Sequence, residues 1–128
     1  EGQVWEASLF AAHYKLDNFC AIVDVNGLQI DGRTADVMNT APLSDKFAAF
    51  GYDVTEIDGH DFEQMESAFD EARATKGVPF AIIMTTIKGK GVSFMEDVAG
   101  WHGKAPNDEE YKTAMDELKA RLAEVEGM

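Results

Sequence analysis

Two segments of this chain carry side chains whose types and spacing could perform chemistry. In the first, Asn26 and Gly27 directly follow an apolar run that ends near Val25. The side-chain oxygen of an asparagine at a strand end can bind a hard cation such as Mg²⁺. Asn-Gly is equally the composition of an ordinary tight turn. From spacing alone, a cation ligand and a simple turn residue both remain open.

The second segment is the glycine-rich stretch from Ile87 to Pro106. Loops of roughly twenty residues in compact domains are usually functional. Lys88, Lys90 and Lys104 place three of the 11 basic residues of the chain here, which suits an anion. His102 could donate a hydrogen bond to a phosphate or act near a reacting carbonyl. A solvated basic loop with a structural histidine fits the same residues, so both interpretations remain open.

A third pattern points to a phosphate loop but fails in detail. Residues 27–34 nearly match G-x-x-x-x-G-K-[ST] after a predicted strand. Arg33 replaces the lysine, Asp31 would place a negative charge among the phosphates, and Pro42 interrupts the helix that should follow. We therefore predict that this segment is not a nucleotide phosphate loop.

The composition excludes several classes of protein. The chain has 128 residues, enough for one domain, and its net charge is 11 − 24 = −13, which argues against a nucleic-acid partner. The apolar runs are strand-length, so we predict no membrane-spanning segment. The single cysteine, Cys20, excludes an internal disulfide and indicates a reducing, cytoplasmic setting. Its place in an apolar run predicts a small core residue.

Helix-period and strand-type runs alternate along the chain, which predicts an α/β fold: a parallel sheet with helices on both faces. The predicted strands are 19–23, 52–57 and 80–84, and the first and last of these are predicted to be buried. The predicted helices begin near Trp5, Ser44, Asp61 and Asn107, the last three being their caps. Residues 24–39 are predicted to be a long loop. Parallel sheets bind ligands at the carboxyl ends of their strands, where both loops begin.

The chain opens with Glu1-Gly2-Gln3 instead of methionine and runs directly into a helical pattern. We interpret residues 1–128 as part of one domain that is truncated at its N-terminal side.

Six blocks of the sequence resemble, in order, the thiamine diphosphate-binding domain of transketolases. They are residues 1–7, 13–18, 24–32, 57–61, 86–94 and 101–106. The resemblance covers essentially the whole chain and is closest to the N-terminal half of transketolases that are split into two subunits. It implies the C-terminal part of the family's thiamine diphosphate-binding fold, and the family's upstream Gly-Asp-Gly would lie before Glu1.

The resemblance also implies a set of site residues. Asn26 matches the asparagine that binds the metal, Mg²⁺ or Ca²⁺, and Leu28 matches the residue whose backbone carbonyl is a further ligand. His102 matches the histidine that contacts the cofactor phosphate and a substrate oxygen. Ile30 and Ile87 match apolar positions near the thiazolium ring and its tail.

Glu1 and Glu6 match carboxylates near the family's dimer interface, and Glu1 is counted with the cofactor-binding residues. The glutamate that protonates the aminopyrimidine ring belongs to another, pyrimidine-binding domain, on the same chain or on a C-terminal subunit. The complete protein is then expected to be a homodimer or a heterotetramer.

The implied activity is transfer of a two-carbon ketol unit from a ketose phosphate to an aldose phosphate, as in the pentose phosphate pathway. Thiamine diphosphate and the metal ion are the implied cofactors. Two alternatives remain. One is a related thiamine enzyme, such as deoxyxylulose-phosphate synthase or a 2-oxo-acid dehydrogenase E1 subunit. The other is a non-catalytic interaction protein that kept the fold.

Overall fold

The computed structural model describes residues 1–127, which divide into two compact units. The first unit comprises Glu1–Val25 and Thr40–Thr86, and the second comprises Asn26–Asn39 and the chain from Ile87 onward. Elements of the first unit are α1 (Gly2–His13), β1 (Cys20–Val25), α3 (Leu43–Phe50), β4 (Asp53–Asp58), α4 (Phe62–Ala74) and β5 (Phe80–Thr85). Those of the second are β2 (Leu28–Gln29), β3 (Gly32–Arg33), α2 (Thr34–Val37), a 3₁₀ helix (Ala99–His102) and α5 (Asp108–Glu126).

The first unit is built on a three-stranded parallel sheet in the order β1-β5-β4. Phe80 at the start of β5 aligns with Cys20 of β1 and with Asp53 of β4. The central strand β5 is the most deeply buried, and Ala81 and Ile82 are 0% and 1% exposed. The predicted parallel α/β sheet is confirmed.

Helices cover both faces of this sheet. One face carries a cluster to which α1 and α3 contribute, formed by Ala11, Phe47, Tyr52, Ala81 and Ile83. The opposite face carries a cluster to which α4 contributes, formed by Ala68, Phe80 and Ile82. Successive β5 residues belong to different clusters because side chains alternate across a strand.

The prediction that β1 is buried on both faces was wrong. Its residues alternate between exposed and half-buried, and Ile22 is 49% exposed. Within residues 1–127, the strand lies at the edge of the sheet and pairs with β5 alone. The core cluster beneath α4 includes no residue of β1. Cys20 is therefore exposed, not the core residue that its neighbours in sequence predicted.

The predicted helix caps are correct for two helices and wrong for one. Asp61 caps α4 by accepting hydrogen bonds from the N–H groups of Glu63 and Gln64, at 3.0 and 3.1 Å. The hydrogen bonds from the backbone and side chain of Gln64 lower the pKa of Asp61. Ser44 lies inside α3 instead of capping it, since the helix begins at Leu43, and its hydroxyl donates to Glu56.

The second unit is more structured than predicted, because residues 24–39 are not one long loop. Leu28 and Gln29 pair antiparallel with Arg33 and Gly32, so β2 and β3 form a small hairpin that leads into α2. The helix α5 begins at the predicted capping box: the side chains of Asn107 and Glu110 each accept from the other's backbone N–H, both at 2.9 Å.

The carboxylate of Glu117 in α5 binds the loop that precedes this helix. Glu117 accepts hydrogen bonds from the hydroxyl and the N–H of Ser93, at 2.6 and 2.7 Å. The hydroxyl bond, followed by the N–H bond, holds the pKa of Glu117 below its ordinary value of 4.5. A carboxylate with a lowered pKa stabilises the folded state above its ordinary pKa, and loses that effect as the pH falls through the folded value.

Glu117→Gln should therefore increase hydrogen–deuterium exchange of residues 88–98 at neutral pH. The difference from the wild type should close as the pH falls below 4.5, where Glu117 of the wild type takes up a proton. Glu124→Gln, an exposed substitution on the same helix, is the control. Equal exchange of the two variants at neutral pH would contradict the assigned role of Glu117.

Across residues 1–127, no helix combines the length and the apolar character that crossing a membrane requires.

Candidate functional site

The second unit contains a pocket of about 420 Å³. Two parts of the chain line it: the hairpin with its preceding turn, called the hairpin wall, and the loop after residue 87, called the loop wall. The hairpin wall consists of Asn26, Leu28, Gln29, Ile30 and Asp31, and the loop wall of Lys88 and His102. The structure thus brings together four predicted site residues: Asn26, Leu28, Ile30 and His102.

The position of Asn26 is fixed by the turn that it makes. Its Oδ1 accepts a hydrogen bond from the N–H of Leu28 at 2.9 Å, and Gly27 adopts a φ of +70° between them. The carbonyl of Gly27 then accepts from the N–H of Thr34 at 3.0 Å, which closes the base of the hairpin. An amide oxygen has two lone pairs, so this turn leaves the oxygen able to bind a cation as well.

Lys88 lines the pocket, and the sequence pattern did not distinguish it from Lys90 and Lys104. Its carbonyl accepts from the N–H of Asp97 at 2.9 Å, and its side chain is half-buried in the pocket wall. The next residue must be glycine. Gly89 has a φ of +74°, and a Cβ there would lie 2.6 Å from the carbonyl oxygen of Met95. The available signal was the local excess of lysine, which did not say which lysine faces the pocket.

His102 ends the 3₁₀ helix and is held by its neighbour in the chain. Trp101 donates its indole N–H to the carbonyl of Phe94 at 3.2 Å, and the two rings lie 5.5 Å apart. The ammonium of Lys104 lies 4.2 Å from the centre of the Trp101 ring, a cation–π contact. The backbone at His102 is thus positioned by Trp101, while its own imidazole remains exposed.

Two predicted residues are not in the pocket lining. Ile87 is 39% exposed and directly precedes Lys88 in the second unit. Glu1 belongs to the first unit, at the start of α1, where its carboxylate accepts from the side-chain amide of Gln3 at 2.6 Å. Ile30, which does line the pocket, is 66% exposed.

Apart from the aspartate in its lining, whose carboxylate would repel phosphate oxygens, the donor set of the pocket suits a diphosphate and part of a metal coordination sphere. Lys88 supplies a positive charge and His102 supplies a ring N–H, and both groups can bind phosphate oxygens. Asn26 and Leu28 supply an amide oxygen and a backbone carbonyl, the hard oxygens that Mg²⁺ prefers. Residues 1–127 contain no group of three or more His, Cys, Asp or Glu side chains that could hold a metal ion. These oxygens would therefore complete a coordination sphere only together with other ligands.

Comparison with known proteins identifies the family. Residues 1–123 match the model of the transketolase thiamine diphosphate-binding domain. The chain is 41% identical over 126 residues to one subunit of an apulose-4-phosphate transketolase from Phocaeicola vulgatus, covering 98% of this chain and 45% of that protein. It is 43% identical over 119 residues to one subunit of a 6-deoxy-6-sulfo-D-fructose transketolase from Clostridium sp., covering 93% and 43%. The chain thus spans less than half the length of these two relatives.

Solved structures agree with this assignment. The chain superposes on the crystal structure of transketolase from Campylobacter jejuni with a TM-score of 0.86 at 33% identity, covering 93% of this chain and 18% of that one. A transketolase from Pichia stipitis in complex with sedoheptulose 7-phosphate gives a TM-score of 0.85 at 27% identity, with the same coverage. The chain belongs to the transketolase family, and its residues 1–123 match the family's thiamine diphosphate-binding domain.

Proposed function

We propose that this chain is part of an enzyme that transfers a two-carbon ketol unit from a ketose phosphate to an aldose phosphate. The observation that carries the proposal is the pocket of the second unit. It places Asn26 and Leu28, candidate metal ligands, on one wall and Lys88 and His102, candidate phosphate contacts, on the other. Membership of the transketolase family supports the same reaction.

Each residue has a distinct proposed role. The Asn26 side chain and the Leu28 carbonyl would bind Mg²⁺, and Lys88 would neutralise the cofactor's diphosphate. His102 would donate a hydrogen bond to a phosphate or to an oxygen of the reacting sugar. Thiamine diphosphate, when bound, supplies carbanion stabilisation, and the protein supplies binding, orientation and electrostatics. Ile30 and Ile87 would offer apolar surface to the cofactor.

The complete enzyme would require a second, pyrimidine-binding domain or subunit. The relatives from Phocaeicola vulgatus and Clostridium sp. are each named as a transketolase subunit, which supports a partner on a separate chain. Glu1 and Glu6 would lie near the contact with that partner, in a homodimer or a heterotetramer. The sugars in those names, apulose 4-phosphate and 6-deoxy-6-sulfo-D-fructose, favour an anionic ketose as the donor.

The test is an assay of the complete enzyme that contains this chain, with xylulose 5-phosphate as donor and ribose 5-phosphate as acceptor. We expect ketol transfer that depends on both thiamine diphosphate and Mg²⁺. The isolated 128-residue protein is expected to show none, because the described residues lack a metal-binding carboxylate cluster.

Three other outcomes would contradict the proposal. Transfer by the isolated chain would show that no second domain is needed. Condensation of pyruvate with an aldose phosphate, or oxidative decarboxylation of a 2-oxo acid in place of ketol transfer, would indicate a different thiamine enzyme. Failure of the complete protein to bind thiamine diphosphate would indicate a non-catalytic interaction protein.

A further inference from the structure

One ion pair joins the two walls of the pocket from outside. The guanidinium Nη2 of Arg33, in the hairpin, lies 2.5 Å from the carboxylate Oδ2 of Asp97, in the loop, and the residues are 64 positions apart in sequence. Both side chains are about half exposed, 58% and 47%. Neither residue lines the pocket, so the pair is available for a role other than direct contact with a ligand.

On the hairpin side, Arg33 is directly linked to residues that form the pocket. It pairs with Leu28 across the antiparallel register. Its Nη1 lies 4.0 Å from the position that a Cβ on Gly27 would occupy, so the guanidinium lies against the turn that holds Asn26. A movement of Arg33 would therefore shift the positions of both candidate metal ligands, Asn26 and Leu28.

On the loop side, Asp97 is linked to Lys88. Its N–H donates to the Lys88 carbonyl, and its φ of +57° is a left-handed conformation that aspartate and asparagine tolerate better than most residues. Backbone hydrogen bonds also hold the segment between them together. The carbonyl of Val92 accepts from the N–H groups of Met95 and Glu96, at 2.9 and 3.2 Å. Asp97 and Lys88 are thus expected to move together.

We propose that the Arg33–Asp97 ion pair is a clasp that fixes the hairpin wall relative to the loop wall. The clasp sets the separation between the candidate metal oxygens and the candidate phosphate contact, and so favours joint binding of Mg²⁺ and thiamine diphosphate. This inference rests on the proposed function. Arg33 and Asp97 are positioning residues, so their loss should weaken cofactor binding while leaving turnover of the saturated enzyme nearly unchanged.

Whether removal of the Asp97 charge weakens or tightens cofactor binding distinguishes a clasp from a purely electrostatic effect of the two charges. As isolated charges near an anion site, Arg33 would favour diphosphate binding and Asp97 would oppose it. Removing the Asp97 charge should then tighten binding if only the field matters. In a clasp, removal of either partner releases the same contact, so both changes should weaken binding.

The experiment is a double-mutant cycle on the complete enzyme, with Arg33→Gln, Asp97→Asn and both together. Calorimetric titration with thiamine diphosphate at saturating Mg²⁺ gives Kd, and kinetics at saturating cofactor give kcat. We expect each single change to raise Kd about two- to fivefold, the range of exposed ion pairs, and the double change to raise it no further. Turnover should stay within about twofold of the wild type, since these are exposed contacts that touch no ligand.

Asp116→Asn is the matched control, because it breaks the exposed Lys112–Asp116 ion pair of α5, 2.6 Å long, away from the pocket. It should leave Kd unchanged. Thermal melting checks that the variants fold, and Asp97→Asn is the safest of them because asparagine tolerates the left-handed conformation.

If Asp97→Asn bound thiamine diphosphate more tightly and the Kd of the double variant stayed near that of the wild type, the two residues would act only through their charges. That result would overturn the clasp. Single effects that multiply in the double variant would show two independent residues, and unchanged Kd in both would show a surface ion pair without a role. A wild-type enzyme that fails to bind thiamine diphosphate would instead defeat the proposed function, and the clasp with it.

Discussion

His102→Ala should lower kcat/KM of the complete enzyme about 10- to 150-fold. A hydrogen bond to a charged group is worth about 1.5–3 kcal/mol, and each 1.36 kcal/mol of lost transition-state stabilisation is tenfold in rate. The imidazole is exposed and lines the same pocket as Lys88, and its proposed partner is a phosphate or a sugar oxygen. The expected loss assumes that this bond strengthens in the transition state.

The fold should hardly respond to this change. The backbone of the 3₁₀ helix is anchored by the indole of Trp101 on the Phe94 carbonyl, a contact that the alanine variant keeps. The measurements are steady-state kinetics and thermal melting, with His13→Ala, an exposed substitution on α1, as the control. A collapse of the melting temperature with normal activity in the surviving folded protein would make His102 a structural residue.

The type of fold follows from local patterns, whereas the burial of each strand does not. The runs at residues 19–23 and 80–84 have the same apolar character, and both were predicted to be buried strands. Only β5 is buried, because it lies between two neighbours, while β1 lies at the edge. Strand order depends on contacts between distant segments, so no pattern within Cys20–Val25 could distinguish the two positions.

The candidate site shows the same division between local and distant information. Asn26 and His102 could be singled out by residue type, local composition and family resemblance. Lys88 could not, because its placement depends on the Gly89 turn and on the hydrogen bond from Asp97. Arg33 was considered only as a substitute for a phosphate-loop lysine. Its pairing with Asp97, 64 residues away, appears only in three dimensions.

Asn26→Ala should raise the half-saturating concentrations of both Mg²⁺ and thiamine diphosphate by at least about 10- to 100-fold. This is the range found when residues that merely support metal ligands are lost, and a ligand itself should cost no less. Both concentrations should change together, because the residues proposed to hold the metal and the diphosphate line the same pocket. The measurement is titration of the complete enzyme's activity with each cofactor while the other is held in excess.

The same substitution also removes the hydrogen bond from the Leu28 N–H, so the turn and ligand roles must be separated. Asn26→Asp is the matched variant, because its carboxylate keeps an oxygen for both the Leu28 N–H and the metal. It should retain cofactor affinity far better than alanine. The melting temperature of the cofactor-free protein reports on the turn alone. Loss of one hydrogen bond in the turn should lower the free energy of unfolding by about 1 kcal/mol. A lowered melting temperature with unchanged half-saturation for both cofactors would make Asn26 a turn residue only. A large shift in both half-saturations with little change in melting would assign its oxygen to the metal.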